Sequence, residues 1–126
     1  MDLTGAGMFT VLLRESHDDP WATTDFLVAG LAGNELRSGL RTISAVGFAP
    51  TPQSVLDLWI ATLIRHGVTS FWLYDCLYDM DTMRHMVDVV RESGGQPVPA
   101  VMYGLTDVHD DAFFAERAGQ MASWPG

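Results

Sequence analysis

Lysine is absent from this chain. All seven basic residues are arginines, and sixteen Asp and Glu outnumber them to give a net charge of −9. An acidic chain lacks the basic surface that binds a phosphate backbone, so nucleic acid is excluded as a partner. The single cysteine, Cys76, excludes an intramolecular disulfide framework and suits a reducing compartment. We therefore predict a cytoplasmic protein.

Long apolar runs are missing as well. Hydrophobic residues make up 48% of the chain, yet no run reaches the ~18 apolar residues that a membrane-spanning helix needs. The N-terminus opens with an acid, Asp2, and lacks the basic start of a secretory signal. We predict no membrane span. The 126 residues are enough for one domain with a real core and too few for two.

Three short strand-like segments alternate with helical patterns. The segments lie near residues 38–45, 70–75 and 97–103, with apolar residues at helical spacing between them. An earlier helix is predicted to begin at Pro20 with Asp19 as its cap, and Thr51 is predicted to cap the next helix. A repeat of ~30 residues is one β-α unit, and such alternation indicates a parallel sheet. The residues before Asp19 are predicted to form a strand-to-helix loop.

Asp75 is the strongest candidate for a site residue. The nearly unbroken apolar run "TSFWLYD" stops at this aspartate, and parallel α/β folds gather their working residues at the C-terminal ends of strands. Two roles stay open for Asp75: a binding residue at that edge, or a structural acceptor for neighbouring loop amides. His109 follows the strand-like "AVMYG" in the next strand-to-helix loop. The four histidines lack the paired spacing of a zinc site, so we predict no metal ligand.

The stretch "GVTSFWLYDCLYDMDTMRHMVDVVRESGG" resembles the carboxyltransferase barrel of pyruvate carboxylase, oxaloacetate decarboxylase and transcarboxylase. This group belongs to the hydroxymethylglutaryl-CoA lyase-like superfamily of TIM barrels. The family pattern G-I-D-V-F-R-I-F-D-A-L-N-D, followed by N-M-R, is matched by Gly67, Phe71, Asp75, Leu77, Asp79, Met83 and Arg84. Upstream, "DLTGAGMFTVLLRESHDDPW" resembles the family's W-G-G-A-T-F-D-V-A-L-R-F-L-x-E-D-P-W, and "GLRTISAVGF" resembles its L-L-R-G-Q-N-L-V-G-Y. Downstream, "AVMYGLTDVHD" places Tyr103 and His109 in register.

The chain departs from the family where substrate and metal are bound. Trp72 stands where the resemblance implies an arginine that anchors the substrate carboxylate, and Tyr78 replaces an asparagine. After the third strand's arginine, Gly-Gln-Asn has become Thr42, Ile43 and Ser44. The resemblance implies a divalent metal held by an Asp on the first strand, a carboxylated Lys on the sixth and an H-x-H on the seventh. This chain has no Lys and no H-x-H.

The resemblance implies a partial (β/α)8 barrel with about three parallel strands and flanking helices. We predict that residues 1–126 are an internal fragment of one such domain, from the loop after strand two through the helix after strand five. The implied function is that of a biotin-dependent carboxyltransferase-like fragment acting on a 2-oxo acid such as pyruvate or oxaloacetate, inactive by itself. The alternatives are a non-catalytic barrel relative with an assembly or regulatory role, or another lyase or aldolase of the superfamily.

Several partners and site residues follow from the resemblance. Asp75, Tyr103 and His109 are the implied substrate-binding residues, with no catalytic or metal-binding residue assigned in this chain. No cofactor is expected in the chain itself, whereas a full-length homologue would use a divalent metal, biotin, a biotinylated carrier domain and the 2-oxo acid. Strand edges near residues 40 and 99 would be unpaired in a partial barrel, so we also expect the chain either to be only marginally stable or to associate through those edges as a homo-oligomer.

Overall fold

The computed structural model describes residues 1–44, 47 and 49–124. Over these residues the chain alternates strands and helices, with a π-helical turn at Leu12–Ser16. The elements are β1 (Asp2–Gly5), α1 (Ala6–Val11), α2 (Pro20–Gly30), β2 (Arg37–Arg41), α3 (Gln53–Arg65), β3 (Ser70–Tyr74), α4 (Met80–Glu92), β4 (Gln96–Pro99) and α5 (Asp111–Ala122). No helix in this part of the chain is long and apolar enough to cross a membrane.

The strands form one parallel sheet in the order β1-β2-β3-β4. The α/β class and the parallel pairing of the three predicted strands in sequence order are therefore confirmed. The expected loop at the start of the chain is wrong, because Asp2–Gly5 pairs with β2 as a fourth strand. The strand near residue 40 is consequently not an edge: the edges are β1 and β4.

The strands are shorter than the apolar pattern predicts. β2 ends at Arg41 rather than near residue 45, and Ala45 lies outside the described residues. β4 ends at Pro99 rather than at 103, with only the Ala100 amide still reaching β3, 2.8 Å from the Leu73 carbonyl oxygen. β2 ends opposite Tyr74, the last residue of β3, and β4 ends opposite Leu73, one residue earlier.

One of the two predicted helix caps, Asp19, is confirmed, and the other, Thr51, is wrong. The Asp19 carboxylate accepts the Trp21 amide at 2.9 Å, so α2 begins as predicted, with Pro20 in its first position. Thr51 is not the cap of α3, because its hydroxyl donates to the Ala49 carbonyl and Pro52 occupies the cap position. Pro52 has extended backbone geometry with its φ near the fixed proline value, which suits the residue that leads into a helix.

One face of the sheet is covered by helices and forms the core. Leu40, Phe71 and Leu73 are fully buried on this face. They form one cluster with apolar side chains of the flanking helices, among them Leu56, Ile60, Leu63, Met86, Val87 and Val90. The opposite face is open and carries Arg41, Trp72 and Tyr74 in neighbouring register positions. In a closed β/α barrel, the face away from the helices lines the interior.

Candidate functional site at the C-terminal edge of the sheet

A cavity of about 230 Å³ lies where β2 and β3 end. From β2 and the loop after it come Arg41, Thr42 and Ser44, and from the loop after β3 comes Asp75. The pairing of β2 with β3 continues for one residue beyond the strands, because the Thr42 amide donates to the Tyr74 carbonyl at 3.3 Å. The parallel register therefore brings Arg41 and Asp75 to the C-terminal edge of the sheet, which is where parallel β/α folds form their sites.

Asp75 is 3% exposed, and its carboxylate is occupied by the backbone. One oxygen accepts the Leu77 amide at 2.7 Å, and the other accepts the Asp79 amide at 3.3 Å. This geometry closes the turn that leads into α4. It supports the structural-acceptor role that the sequence left open, while the position of Asp75 on the cavity wall leaves its binding role a prediction.

Asp79 continues this turn by capping α4. Its carboxylate accepts the Thr82 amide at 3.1 Å and the Thr82 hydroxyl at 2.7 Å. The two Thr82 groups stabilise the charged form and hold the pKa of Asp79 below its usual value. Between the two aspartates, Tyr78 has a left-handed backbone with φ of 56°, and its hydroxyl donates to the Met102 carbonyl at 2.6 Å. The loops after β3 and β4 are therefore tied together.

Arg41 is a functional candidate that the sequence patterns do not single out. It is exposed on the open face, and its guanidinium carbon lies 6.0 Å from the centre of the Tyr74 ring. The Tyr74 hydroxyl favours the charged guanidinium and raises the pKa of Arg41. Within the described residues, no carboxylate forms an ion pair with Arg41. One feature of the sequence points to Arg41: it is the last residue of a strand, and that strand pairs with β3.

Trp72 lies on the same open face as Arg41. The indole is 39% exposed, and its ring centre is 5.3 Å from that of Tyr74. An indole cannot form the paired hydrogen bonds that a guanidinium makes with a carboxylate. The positive charge on this part of the open face is therefore that of Arg41 on β2. The resemblance implies an arginine one strand away, on β3, at the position of Trp72.

Tyr103 and His109 lie after β4, apart from the cavity that Asp75 lines. The Tyr103 hydroxyl donates to the Asp111 carboxylate at 2.6 Å, and this bond raises the pKa of Tyr103. The His109 ring centre lies 4.5 Å from that of Phe113, and Tyr103 packs at 4.7 Å against Phe114. Both residues thus belong to an aromatic cluster at the start of α5. Their substrate-binding role stays a prediction.

The described residues do not fit a divalent metal. In that part of the chain, no three His, Cys, Asp or Glu side chains come together. Asp75, the buried carboxylate of the cavity, already has both oxygens engaged by amides. The volume of about 230 Å³ is also below the ~300–1,000 Å³ of pockets that enclose larger ligands. It suits a small carboxylic acid.

These features define a class: a segment of a parallel β/α sheet, open on one face, with an Arg–Asp cavity at the carboxyl ends of its strands. No family model matches the chain. It is 22% identical over 121 residues to a pyruvate carboxylase subunit of Methanocaldococcus jannaschii, covering 96% of this chain and 21% of the relative. It is 23% identical to the 2-oxoglutarate carboxylase large subunit of Hydrogenobacter thermophilus, covering 97% and 19%.

The fold matches a solved carboxyl transferase domain. The domain from Rhizobium etli pyruvate carboxylase, solved with pyruvate, superimposes with a TM-score of 0.90 at 21% identity, over 99% of this chain and 22% of that one. The resemblance indicated by the sequence motifs is confirmed, and so is the fold of a partial carboxyltransferase TIM barrel. The chain spans about a fifth of the length of these two curated relatives.

Proposed function

We propose that this chain is a segment of a carboxyltransferase-type barrel that binds the carboxylate of a small 2-oxo acid, such as pyruvate or oxaloacetate, at the C-terminal edge of its sheet. One observation carries the proposal: Arg41 and Asp75 share the wall of a small cavity at that edge. The match to a carboxyl transferase domain solved with pyruvate supports the choice of ligand class.

Arg41 is the proposed anchor for the substrate carboxylate. Its guanidinium is charged at every accessible pH, and its planar fork matches two carboxylate oxygens. Tyr74 lies beside it and favours its charged form. The Ser44 hydroxyl, on the same cavity wall, is the proposed donor to the 2-oxo oxygen. Asp75 acts by holding the β3 loop in shape.

The chain alone is proposed to lack turnover. Carboxyl transfer in a complete homologue would draw on biotin, a biotinylated carrier and a divalent metal, and the described part of this chain does not fit that metal. We place the complete protein in the cytoplasm, with no nucleic-acid partner and with a homo-oligomeric state as a further proposal. The proposed contribution of this segment is recognition of the 2-oxo acid.

A second candidate is a non-catalytic relative that serves assembly or regulation. Two observations favour it: Trp72 occupies the position of the family's arginine, and each oxygen of the Asp75 carboxylate already accepts a backbone amide. A different lyase or aldolase activity of the same superfamily is the third candidate. Carboxylate binding separates the first candidate from the second, because a barrel that only assembles has no need of an anchored 2-oxo acid.

The experiment is a titration of the purified chain with pyruvate and with oxaloacetate, followed by calorimetry or NMR. A single charge-assisted contact is worth ~1.5–3 kcal/mol, so Arg41→Gln is expected to weaken binding at least ~10-fold. The matched control is Arg37→Gln at the opposite end of the same strand and face, where Arg37 contacts Glu35 and Ser70 at 3.3 Å. Equal loss in both variants, or no binding by the wild type, would refute the anchor.

A further inference from the structure

A groove of about 380 Å³ lies among the helices that cover the sheet. It shares no residue with the cavity that Asp75 lines. Consecutive helices of a β/α barrel pack side by side on its outside, so further strands would leave this groove in place. We call it the aromatic groove, with a floor of three rings and an α3 side of three further side chains: Phe9, Trp21 and Trp59, then Val55, Leu58 and Arg65.

The floor of the groove is held by contacts among aromatic side chains. The Phe9 ring centre lies 4.8 Å from that of Trp21 and 4.7 Å from that of Trp59. On Trp21 the His66 imidazole stacks with the ring centres 4.9 Å apart, and the Asp25 carboxylate bonds to its Nδ1. Phe9 and Trp59 are buried and Trp21 is partly buried. A floor that is already packed in this way can receive a flat apolar ring without rearranging.

The α3 side of the groove is an exposed stripe along one helix. Val55 is 43% exposed and Leu58 is 62% exposed. Thr62 and Arg65 follow at steps of four and three residues, so all four side chains share one face of α3. The stripe begins with aliphatic side chains and ends with a cation at the last residue of the helix. The groove is therefore apolar at one end and positively charged at the other.

Arg65 is oriented but has no acidic partner. Its guanidinium donates to the Thr62 hydroxyl at 2.8 Å, and that hydroxyl donates to the Leu58 carbonyl at 2.7 Å. In the part of the chain that the structure describes, no carboxylate forms an ion pair with Arg65. The chain as a whole has a net charge of −9, so an unpaired guanidinium marks a local site for an anion. Its planar fork matches a carboxylate.

We propose that the aromatic groove binds a small amphipathic carboxylate, such as an arylalkanoic acid. The apolar ring would pack against Trp21 and Leu58, and the carboxylate would accept hydrogen bonds from Arg65. The volume of about 380 Å³ lies within the ~300–1,000 Å³ of pockets that take small organic molecules. Apolar walls with one guanidinium favour a ligand that has both a ring and a negative charge. The inference does not rest on the proposed 2-oxo acid site, because the two sites share no residue.

The test uses 3-phenylpropionate as the probe and the indole N–H signals of the four tryptophans as NMR reporters. The signals of Trp21 and Trp59 should shift in a saturable way with one common dissociation constant. The signal of Trp72, on the open face of the sheet, should stay in place. Two matched compounds separate the two parts of the ligand. Both 3-phenylpropan-1-ol, which lacks the charge, and propionate, which lacks the ring, should bind more weakly than 3-phenylpropionate.

Two variants at exposed positions locate the contacts. Arg65→Gln should weaken the binding of 3-phenylpropionate ~3- to 10-fold and leave that of 3-phenylpropan-1-ol unchanged. Leu58→Glu should abolish saturable binding of 3-phenylpropionate, because it places a carboxylate beside that of the ligand. Arg91→Gln, in the last turn of α4 and outside the groove, is the matched control and should leave the affinity unchanged. Circular dichroism checks that each variant is folded.

Four results would overturn the inference. They are saturable shifts confined to Trp72, equal affinities for 3-phenylpropionate and 3-phenylpropan-1-ol, equal effects of Arg65→Gln and Arg91→Gln, and no saturable shift up to the solubility limit of the probe. If a variant does not fold, the comparison of the acid with the alcohol on the wild type still decides the question. Failure of pyruvate to bind at the C-terminal edge would leave this inference standing, since the two sites have separate reporters.

Discussion

Replacing Asp75 should destabilise the protein even in the absence of any ligand. The buried carboxylate accepts the Leu77 amide at 2.7 Å and the Asp79 amide at 3.3 Å. Bonds to a charged acceptor contribute ~1.5–3 kcal/mol each, and the longer one contributes least. Asp75→Ala leaves both amides without their acceptor, so we expect the free energy of unfolding to fall by ~2–4 kcal/mol. That is a large share of the ~5–15 kcal/mol typical of a domain.

Urea unfolding followed by tryptophan fluorescence measures this loss. Asp75→Asn keeps one acceptor oxygen for the Leu77 amide, so it should lose about half as much as Asp75→Ala. Asp107→Ala, in the exposed loop before α5, is the control and should change stability by less than ~0.5 kcal/mol. The reasoning is refuted if Asp75→Ala unfolds at the same urea concentration as Asp107→Ala with an unchanged slope, because the two amide bonds would then contribute nothing.

Three further predictions concern the turns and the metal. The pKa of Asp79 is lowered in the folded protein, so the stabilisation from its cap is present above the unfolded pKa and is lost as the pH falls below ~4. Asp79→Ala should therefore cost ~1 kcal/mol at pH 7 and progressively less as the pH is lowered from ~4, as measured by urea unfolding across that range. Gly67→Ala should destabilise the protein more than Gly94→Ala. Both glycines have φ near +90° (93° and 89°), but only at Gly67 would a Cβ lie 2.8 Å from a Val28 methyl. Equal melting temperatures of the two variants would contradict this clash. Calorimetry with manganese or zinc should show no tight metal site. The rate of oxaloacetate decarboxylation with free biotin should not exceed the rate without protein. Micromolar metal binding together with turnover would contradict the proposed inactivity of the segment.

The sheet could be predicted from the sequence because β3 is a largely buried apolar run and its neighbours recur at a β-α repeat of ~30 residues. β1 escaped prediction for a physical reason. Its four residues contain one large apolar side chain, Leu3, and its strand geometry depends on pairing with β2, for example through the Arg37 amide and the Met1 carbonyl at 2.9 Å. Such a strand has no pattern of its own. Tertiary pairing, rather than local propensity, decides its conformation.

The site was predictable where a strand ends on a charge. Asp75 interrupts an apolar run and does lie on the wall of the cavity. Arg41 ends the neighbouring strand, but its importance depends on the register of β2 against β3, which the sequence does not reveal. Tyr103 and His109 lie in a loop with no periodic pattern. Their aromatic contacts with α5 come from tertiary packing, so spacing alone could not separate them from the cavity.

Backbone amide chemical shifts recorded during a pyruvate titration test the central claim most directly. If the C-terminal edge of the sheet binds the 2-oxo acid, the amides of Thr42, Ser44 and Cys76 should shift in a saturable way with one common dissociation constant. Those of Leu36 and Thr69, at the opposite end of the same strands, should remain in place. Saturable shifts confined to the opposite end, or no saturable shifts at all, would contradict the account.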